Sequence, residues 1–211
     1  MTILLLVRHG ETDWNRDGRW QGHADRPLTD VGRRQAAAAA GALAAAQPTA
    51  IYSSDLERAR ETAAPLAGRT GLVVGVRRAL REIDVGSWSG LTRREIEERR
   101  LAGPAERATG TPGWTGGETM EAHASRMLAA LTAIVAAHAP GDRVCVFTHG
   151  GSIRAVVAAS LGLDPRESRD RLSGSRYCAV TSLLAVRSDV RAPAWMLLGY
   201  NADPAGTLSL S

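Results

Sequence analysis

With 211 residues, 44% hydrophobic and 23% charged, the chain has the composition of a globular protein with room for one generous core. All 26 basic side chains are Arg against 22 acids, for a net charge of +4. The lack of Lys excludes lysine Schiff-base chemistry and a Walker-type phosphate loop. The arginines alternate with acids, as in Leu56-Glu57-Arg58-Ala59-Arg60-Glu61, which describes solvated helix faces and argues against a nucleic-acid partner.

In chain order, Leu4-Leu5-Leu6-Val7 predicts a buried parallel strand that stops at Arg8-His9-Gly10. No apolar run is long enough for a membrane helix, and the leading Leu run lacks a basic leader and cleavage site. A cytoplasmic protein without a membrane partner is therefore expected. A polar loop over residues 13–27 carries Trp and Gly. A helix then opens with Thr29 or Asp30 as its cap and runs through the alanine-rich stretch to residue 46, where Pro48 ends it.

Ala50-Ile51-Tyr52-Ser53 predicts a second strand. A helix over 56–69 follows, capped by Ser54 or Asp55 and kinked or divided at Pro65. Residues 72–76 predict a third strand, so the alternation implies a mostly parallel sheet with helices on both faces. Residues 80–90 are punctuated by Gly, 92–101 predict a short charged helix, and 103–117 an exposed excursion. A long helix over 118–138 places Met127, Leu128, Leu131, Ile134 and Val135 at helical spacing, with His123 and His138 assigned to its surface.

Val144-Cys145-Val146-Phe147 predicts a fourth strand, ending at Thr148-His149-Gly150-Gly151 before a helix over 152–161. Apolar runs at 179–186 and 195–200 predict a terminal hairpin. Cys145 and Cys178 sit in apolar runs and are expected as core thiols; no metal-ligand spacing occurs and no metal is expected. With neither repeat nor linker, residues 1–211 are expected to form one domain.

Two strands thus end in His followed by Gly. At the carboxyl ends of neighbouring parallel strands, His9 and His149 would face one crevice, where α/β sheets bind ligands. Arg8 brings a planar fork suited to phosphate oxygens, and the helix after His149 offers free N–H groups near Gly150 and Gly151. A neutral imidazole there is a candidate nucleophile toward phosphorus. The plain alternative is a strand end with a surface Arg-His pair.

Nearly the whole chain resembles the histidine phosphatase superfamily, which includes cofactor-dependent phosphoglycerate mutase. The resemblance rests on Leu6-Val7-Arg8-His9-Gly10-Glu11-Thr12, Trp14-Asn15, Gln21-Gly22, and Leu28-Thr29 with Gly32. It continues through Ser53-Ser54-Asp55-Leu56-Glu57-Arg58-Ala59, Glu82 before Gly86-Ser87-Trp88-Ser89-Gly90, and Thr148-His149-Gly150-Gly151. It implies an α/β three-layer sandwich, with a mostly parallel central sheet flanked by helices. It also implies a phosphohistidine on His9, with Arg8, Arg58 and His149 holding phosphoryl oxygens and Glu82 donating a proton to the leaving group. Asn15, Gln21, Gly22 and Gly150 would line the phosphate site.

Physics supports this division of labour, since phosphoryl transfer asks mainly for positioning and charge stabilisation. A like-charged phosphate or partial burial is expected to keep Glu82 protonated. Glu82 is preferred over Asp84 and Glu11, and Glu11 is expected to orient its loop. Trp20, Trp88 and Trp114 are expected either to wall the pocket or to pack, and His23 to face solvent.

Mutase members typically carry a tyrosine and then an Asn-Lys pair after the acid, and neither feature stands after Glu82 here. The expected reaction is therefore metal-independent, cofactor-free hydrolysis of a small phosphate monoester by a monomer or homodimer. The rivals are mutase-type transfer and a non-catalytic phospholigand-binding protein. An acyl-transfer hydrolase would need a Gly-x-Ser-x-Gly elbow, which the chain lacks.

Overall fold

Leu4, Leu5, Leu6 and Val7 expose none of their surface, because the strand that carries them lies in mid-sheet with helices over both faces. The computed structural model describes residues 1–99, 114–164, 168–186 and 193–204. Among these, β1 (Thr2–Arg8), β2 (Ala50–Ser53), β3 (Val74–Val76), β4 (Arg143–Thr148), β5 (Val180–Val186) and β6 (Ala194–Ala202) form one sheet. Its order is β3-β2-β4-β1-β5-β6. The first four strands run parallel, and β5 pairs antiparallel with both β1 and β6.

Alternate β1 residues point to opposite faces. Leu5 and Val7 join Ile51, Cys145 and Phe147 beneath α2 (Asp30–Ala45) and α3 (Glu57–Thr70), with Ala36, Ala40, Leu43, Ala63 and Leu66 against them. Small Ala side chains bring those helices close to the sheet. Leu4 and Leu6 join Val144 and Val146 on the other face, under α5 (Met120–Ala136) and α6 (Gly150–Ser160). The fold is the expected three-layer α/β sandwich. Short helices α1 (Asp13–Arg16), α4 (Arg93–Glu98) and α7 (Ser168–Arg171) lie in the connections.

The structure decides one local expectation that was left open and corrects others. Thr29, not Asp30, caps α2, its hydroxyl accepting from Gly32 N–H at 3.0 Å. The α3 helix runs unbroken through Pro65, since buried Ala59, Thr62, Ala63 and Leu66 pin it on both sides of the lost hydrogen bond. Its cap is Leu56; Ser54 Oγ accepts from Leu56 N–H, and the Glu57 N–H is met by Asp25 from a distant loop. β3 starts at Val74, two residues late. Thr92 and Glu95 form a reciprocal cap on α4. The expected excursion over 103–117 lies outside the described residues up to 113; of the rest, Thr115 and Gly116 are exposed, but Trp114 is buried at 2% exposure. Both cysteines are buried and free; burial pushes each thiol up to about 12.

Candidate active site

Arg8 and Thr148 are paired across β1 and β4, so the next residue of each strand leaves the sheet at the same level. His9 N–H donates to the Thr148 carbonyl at 3.0 Å, and the His9 and His149 ring centres lie 5.3 Å apart. His9 lines a cleft of about 270 Å³ at the carboxyl edge of the sheet. Its wall takes in Arg8, His9, Asn15, Gln21, Gly22, Arg58, Glu82 and Gly150, which are eight of the nine residues expected there. The ninth, His149, lies directly behind, with no exposed surface.

The protonation of both rings follows from their neighbours. His9 Nδ1 stands 2.7 Å from the Gly10 carbonyl, which only accepts, so Nδ1 carries the hydrogen and Nε2 keeps its lone pair. Burial, then the Arg58 and Arg8 charges, hold His9 well below the usual imidazole range. For His149 the logic is reversed: Arg58 Nε–H donates to its Nδ1 at 3.2 Å, which leaves the hydrogen on Nε2. That Nε2, like Arg8 Nε, is buried without a protein partner. A buried donor left unmet costs about 1–3 kcal/mol, which an anion accepting from both would recover.

The two arginines are held from behind. Arg8 donates through Nη1 to the Ser175 carbonyl, and its guanidinium lies 4.3 Å from the centre of the Tyr177 ring. Arg58, only 1% exposed, donates to the carbonyls of Ala24 at 2.7 Å and Gly22 at 2.8 Å. With the His149 contact, that occupies three of its five N–H groups. Burial pushes Arg58 down to about 10, still cationic at neutral pH.

Glu82 approaches from the opposite wall. Its Oε2 accepts from Gly151 N–H at 2.9 Å and its Oε1 from Ile83 N–H at 3.0 Å. A Cβ on Gly151 would lie 2.5 Å from Oε1, so a larger residue there would push the Glu82 carboxylate aside. Burial raises the proton affinity of Glu82, but the His123 charge where that ring is protonated, the two N–H groups and the Arg58 charge outweigh it and leave the carboxyl below its usual range. Partial burial alone therefore does not keep Glu82 protonated, which corrects half of the expectation. Asn15 Oδ1 accepts from Thr12 N–H at 3.1 Å, which assigns its other amide atom as the NH₂. Gln21 is 8% exposed with its Oε1 unpartnered.

Of the three histidines assigned to the surface, His123 is buried, and His138 and His23 are partly buried with side chains 14% and 26% exposed. His123 is 1% exposed and bonded to Ser152, and His138 is wedged between Asp142 and the Tyr52 hydroxyl. His23 ties the first loop to the acid, its Nε2 lying 2.9 Å from the Glu82 carbonyl. Arg19, Arg154, Gly174 and Ser175 also line the cleft and were not anticipated. Arg154 had a signal, standing one helical turn beyond Gly150 and so on the same face. Trp20 walls the cleft, while Trp88 and Trp114 pack behind it at 5.0 and 6.1 Å between ring centres.

Paired imidazoles at adjacent strand ends, with two cations and a carboxylate around them, define a phosphoryl-transfer architecture on a mutase-like sandwich. A model of the histidine phosphatase superfamily (branch 1) matches residues 4–196, and the chain belongs to that superfamily. Glucosyl-3-phosphoglycerate phosphatase of Mycobacterium tuberculosis is 40% identical over 214 residues, spanning 95% of this chain and 94% of that one. Metal-independent phosphoserine phosphatase of Arabidopsis thaliana is 40% identical over 164 residues, 74% of this chain and 67% of the other. A structure of mycobacterial glucosyl-3-phosphoglycerate phosphatase complexed with VO3 superposes with a TM-score of 0.84 at 38% identity, covering 96% and 100% of the two chains.

Proposed function

We propose that this chain hydrolyses small phosphate monoesters through a phosphohistidine on His9, without a metal. The observation that supports it best is the opposite protonation of the two rings: His9 turns a bare nitrogen to the cleft, while His149 and Arg8 keep unmet N–H groups beside it. His9 Nε2 attacks phosphorus and the ester P–O bond breaks. The departing oxygen takes a proton from Glu82. Water then gives a proton back to Glu82 and attacks the phosphohistidine, which breaks the N–P bond and frees phosphate. Arg8, Arg58 and His149 N–H steady the phosphoryl oxygens through both steps, with Asn15, Gln21 and Gly150 at the start of α6 around them.

Glu82 is ionised in the empty site, so its proton arrives with the substrate. A monoester has a second pKa near ~6, and its negative charge beside Glu82 raises the proton affinity of the carboxyl. Hydrolysis rather than return of the phosphoryl group fits the stretch after Glu82, which lacks the tyrosine and Asn-Lys anchors of mutase members. With this reading go a freely diffusing substrate, no nucleic acid or membrane, and a cytoplasmic monomer or homodimer.

The test is phosphate release, with chelator present, from glucosyl-3-phosphoglycerate, phosphoserine and glycerol 2-phosphate. Wild type should release phosphate from at least one and His9→Ala from none. Dependence on added metal, or full activity in His9→Ala, would overturn the proposal.

A further inference from the structure

The buried histidine that phosphoryl transfer does not use, His123, lies on α5 behind the acid. Its Nε2 is 2.9 Å from Ser152 Oγ, and that oxygen is also 3.0 Å from the Arg81 carbonyl and 3.3 Å from Glu82 Oε1. Carbonyl and carboxylate both only accept, and a hydroxyl has a single proton to give. The third neighbour must therefore donate, which places the hydrogen of His123 on Nε2. His123 and Ser152 are 1% and 0% exposed, so no water competes for these bonds.

We propose that His123 is a positioning residue: by donating to Ser152 it aims that hydroxyl at the acid, holding the Glu82 carboxyl in place and setting how readily it carries a proton. The inference rests on the phosphatase reading above. When Glu82 is ionised, Ser152 donates to Oε1 in a charge-assisted bond. When Glu82 is protonated, the hydroxyl turns to the Arg81 carbonyl. Hydrogen bonds in such a chain polarise one another, so the His123 bond strengthens what Ser152 gives to Glu82. Loss of either group makes the ionised carboxyl less favourable and raises its proton affinity.

The same helix fixes the backbone on which the acid rides. Arg126, one turn beyond His123, donates to the carbonyls of Ala79, Arg81 and Glu82 and pairs with Glu118 at 2.7 Å. The other charged or titratable groups around Glu82 are Arg8 from β1, Arg58 from α3, Arg154 from α6, and His23 with Asp84 from the loops. These side chains are kept as they are in the Ser152 and His123 variants. Burial holds His123 at about 4, so it acts as a neutral donor throughout the working range.

The experiment follows kcat against pH for release of phosphate from glycerol 2-phosphate, an ester whose alkoxide needs the acid. Wild type, Ser152→Ala, His123→Leu and His123→Gln are compared. Above the pH at which Glu82 loses its proton, kcat falls. Ser152→Ala should move that fall upward by about one pH unit, His123→Leu in the same direction by less. His123→Gln, whose amide N–H reaches for the same hydroxyl, should return it toward wild type. In the unmodified protein, ¹⁵N imidazole spectra should show His123 neutral with its hydrogen on Nε2 over roughly pH 5 to 8.

Coincident profiles among folded variants, or the hydrogen on Nδ1, would overturn the inference. If a variant fails to fold, the spectra of the wild type decide. An inactive wild type would instead count against the phosphatase reading, and the tautomer would still judge the His123 contact.

Discussion

His9 owes its free nitrogen to groups that are neither acid nor base in the reaction. The Gly10 carbonyl fixes the hydrogen on Nδ1, and burial with Arg58 and Arg8 keeps a second proton away. Glu82 has the opposite task, because it must gain and lose a proton in each cycle. Replacing it with Gln keeps the size and one acceptor for Gly151 or Ile83 N–H but removes the titrating group. Glu82→Gln should therefore lower kcat about 100- to 10,000-fold with little change in KM, read by steady-state kinetics on the best ester. A loss under about tenfold would move the acid elsewhere.

At the scale of elements, the loop after β1 is held where it is by glycine packed on glycine. A Cβ on Gly32 would lie 2.2 Å from the Glu11 carbonyl oxygen, and one on Gly10 would lie 2.6 Å from the Gly32 carbonyl oxygen. These are backbone atoms at the capped start of α2, with no flexible side chain to yield. Gly32→Ala should destabilise the fold by about 1–3 kcal/mol in chemical denaturation and lower kcat, because it pushes on the segment that carries His9. An unchanged midpoint and rate would show that the contact is loose.

Such pairings mark where the sequence stopped being readable. The strands after which His9 and His149 emerge could be read locally, because continuous apolar runs and terminal Gly are local signals. The side chain that meets the Glu57 N–H of α3 could not: it is Asp25, 32 residues earlier. The burial of His123 did have a local signal, since it stands four residues before Met127 on the apolar stripe, but its polar type points the other way. Arg19 and the Ser175 carbonyl reach the cleft from loops whose course depends on the finished fold.

Across the whole molecule, three buried histidines make stability depend on pH. His9, His123 and His149 all bind protons less readily when folded than the ordinary imidazole value of 6.5. Below pH 6.5 the unfolded chain takes up protons that the folded chain refuses, so stability falls as pH falls. For His123 the window runs from 6.5 down to about 4, and its share by pH 5 is about 2 kcal/mol. Glu82 and Asp55, whose pKa values are lowered on folding, add a loss in the same direction only below the ordinary carboxylate values. Urea midpoints taken from about pH 7.5 to 5 should decline steadily, and a flat profile would mean that the histidines reach solvent.

The claim on which the rest depends is the covalent step, and rapid-quench mass spectrometry during turnover reads it directly. The account predicts one phosphoryl group, labile in acid and stable in base, on the peptide containing His9, and no such adduct in His9→Ala. Steady hydrolysis with no protein-bound phosphoryl group, or the group on another residue, would contradict it.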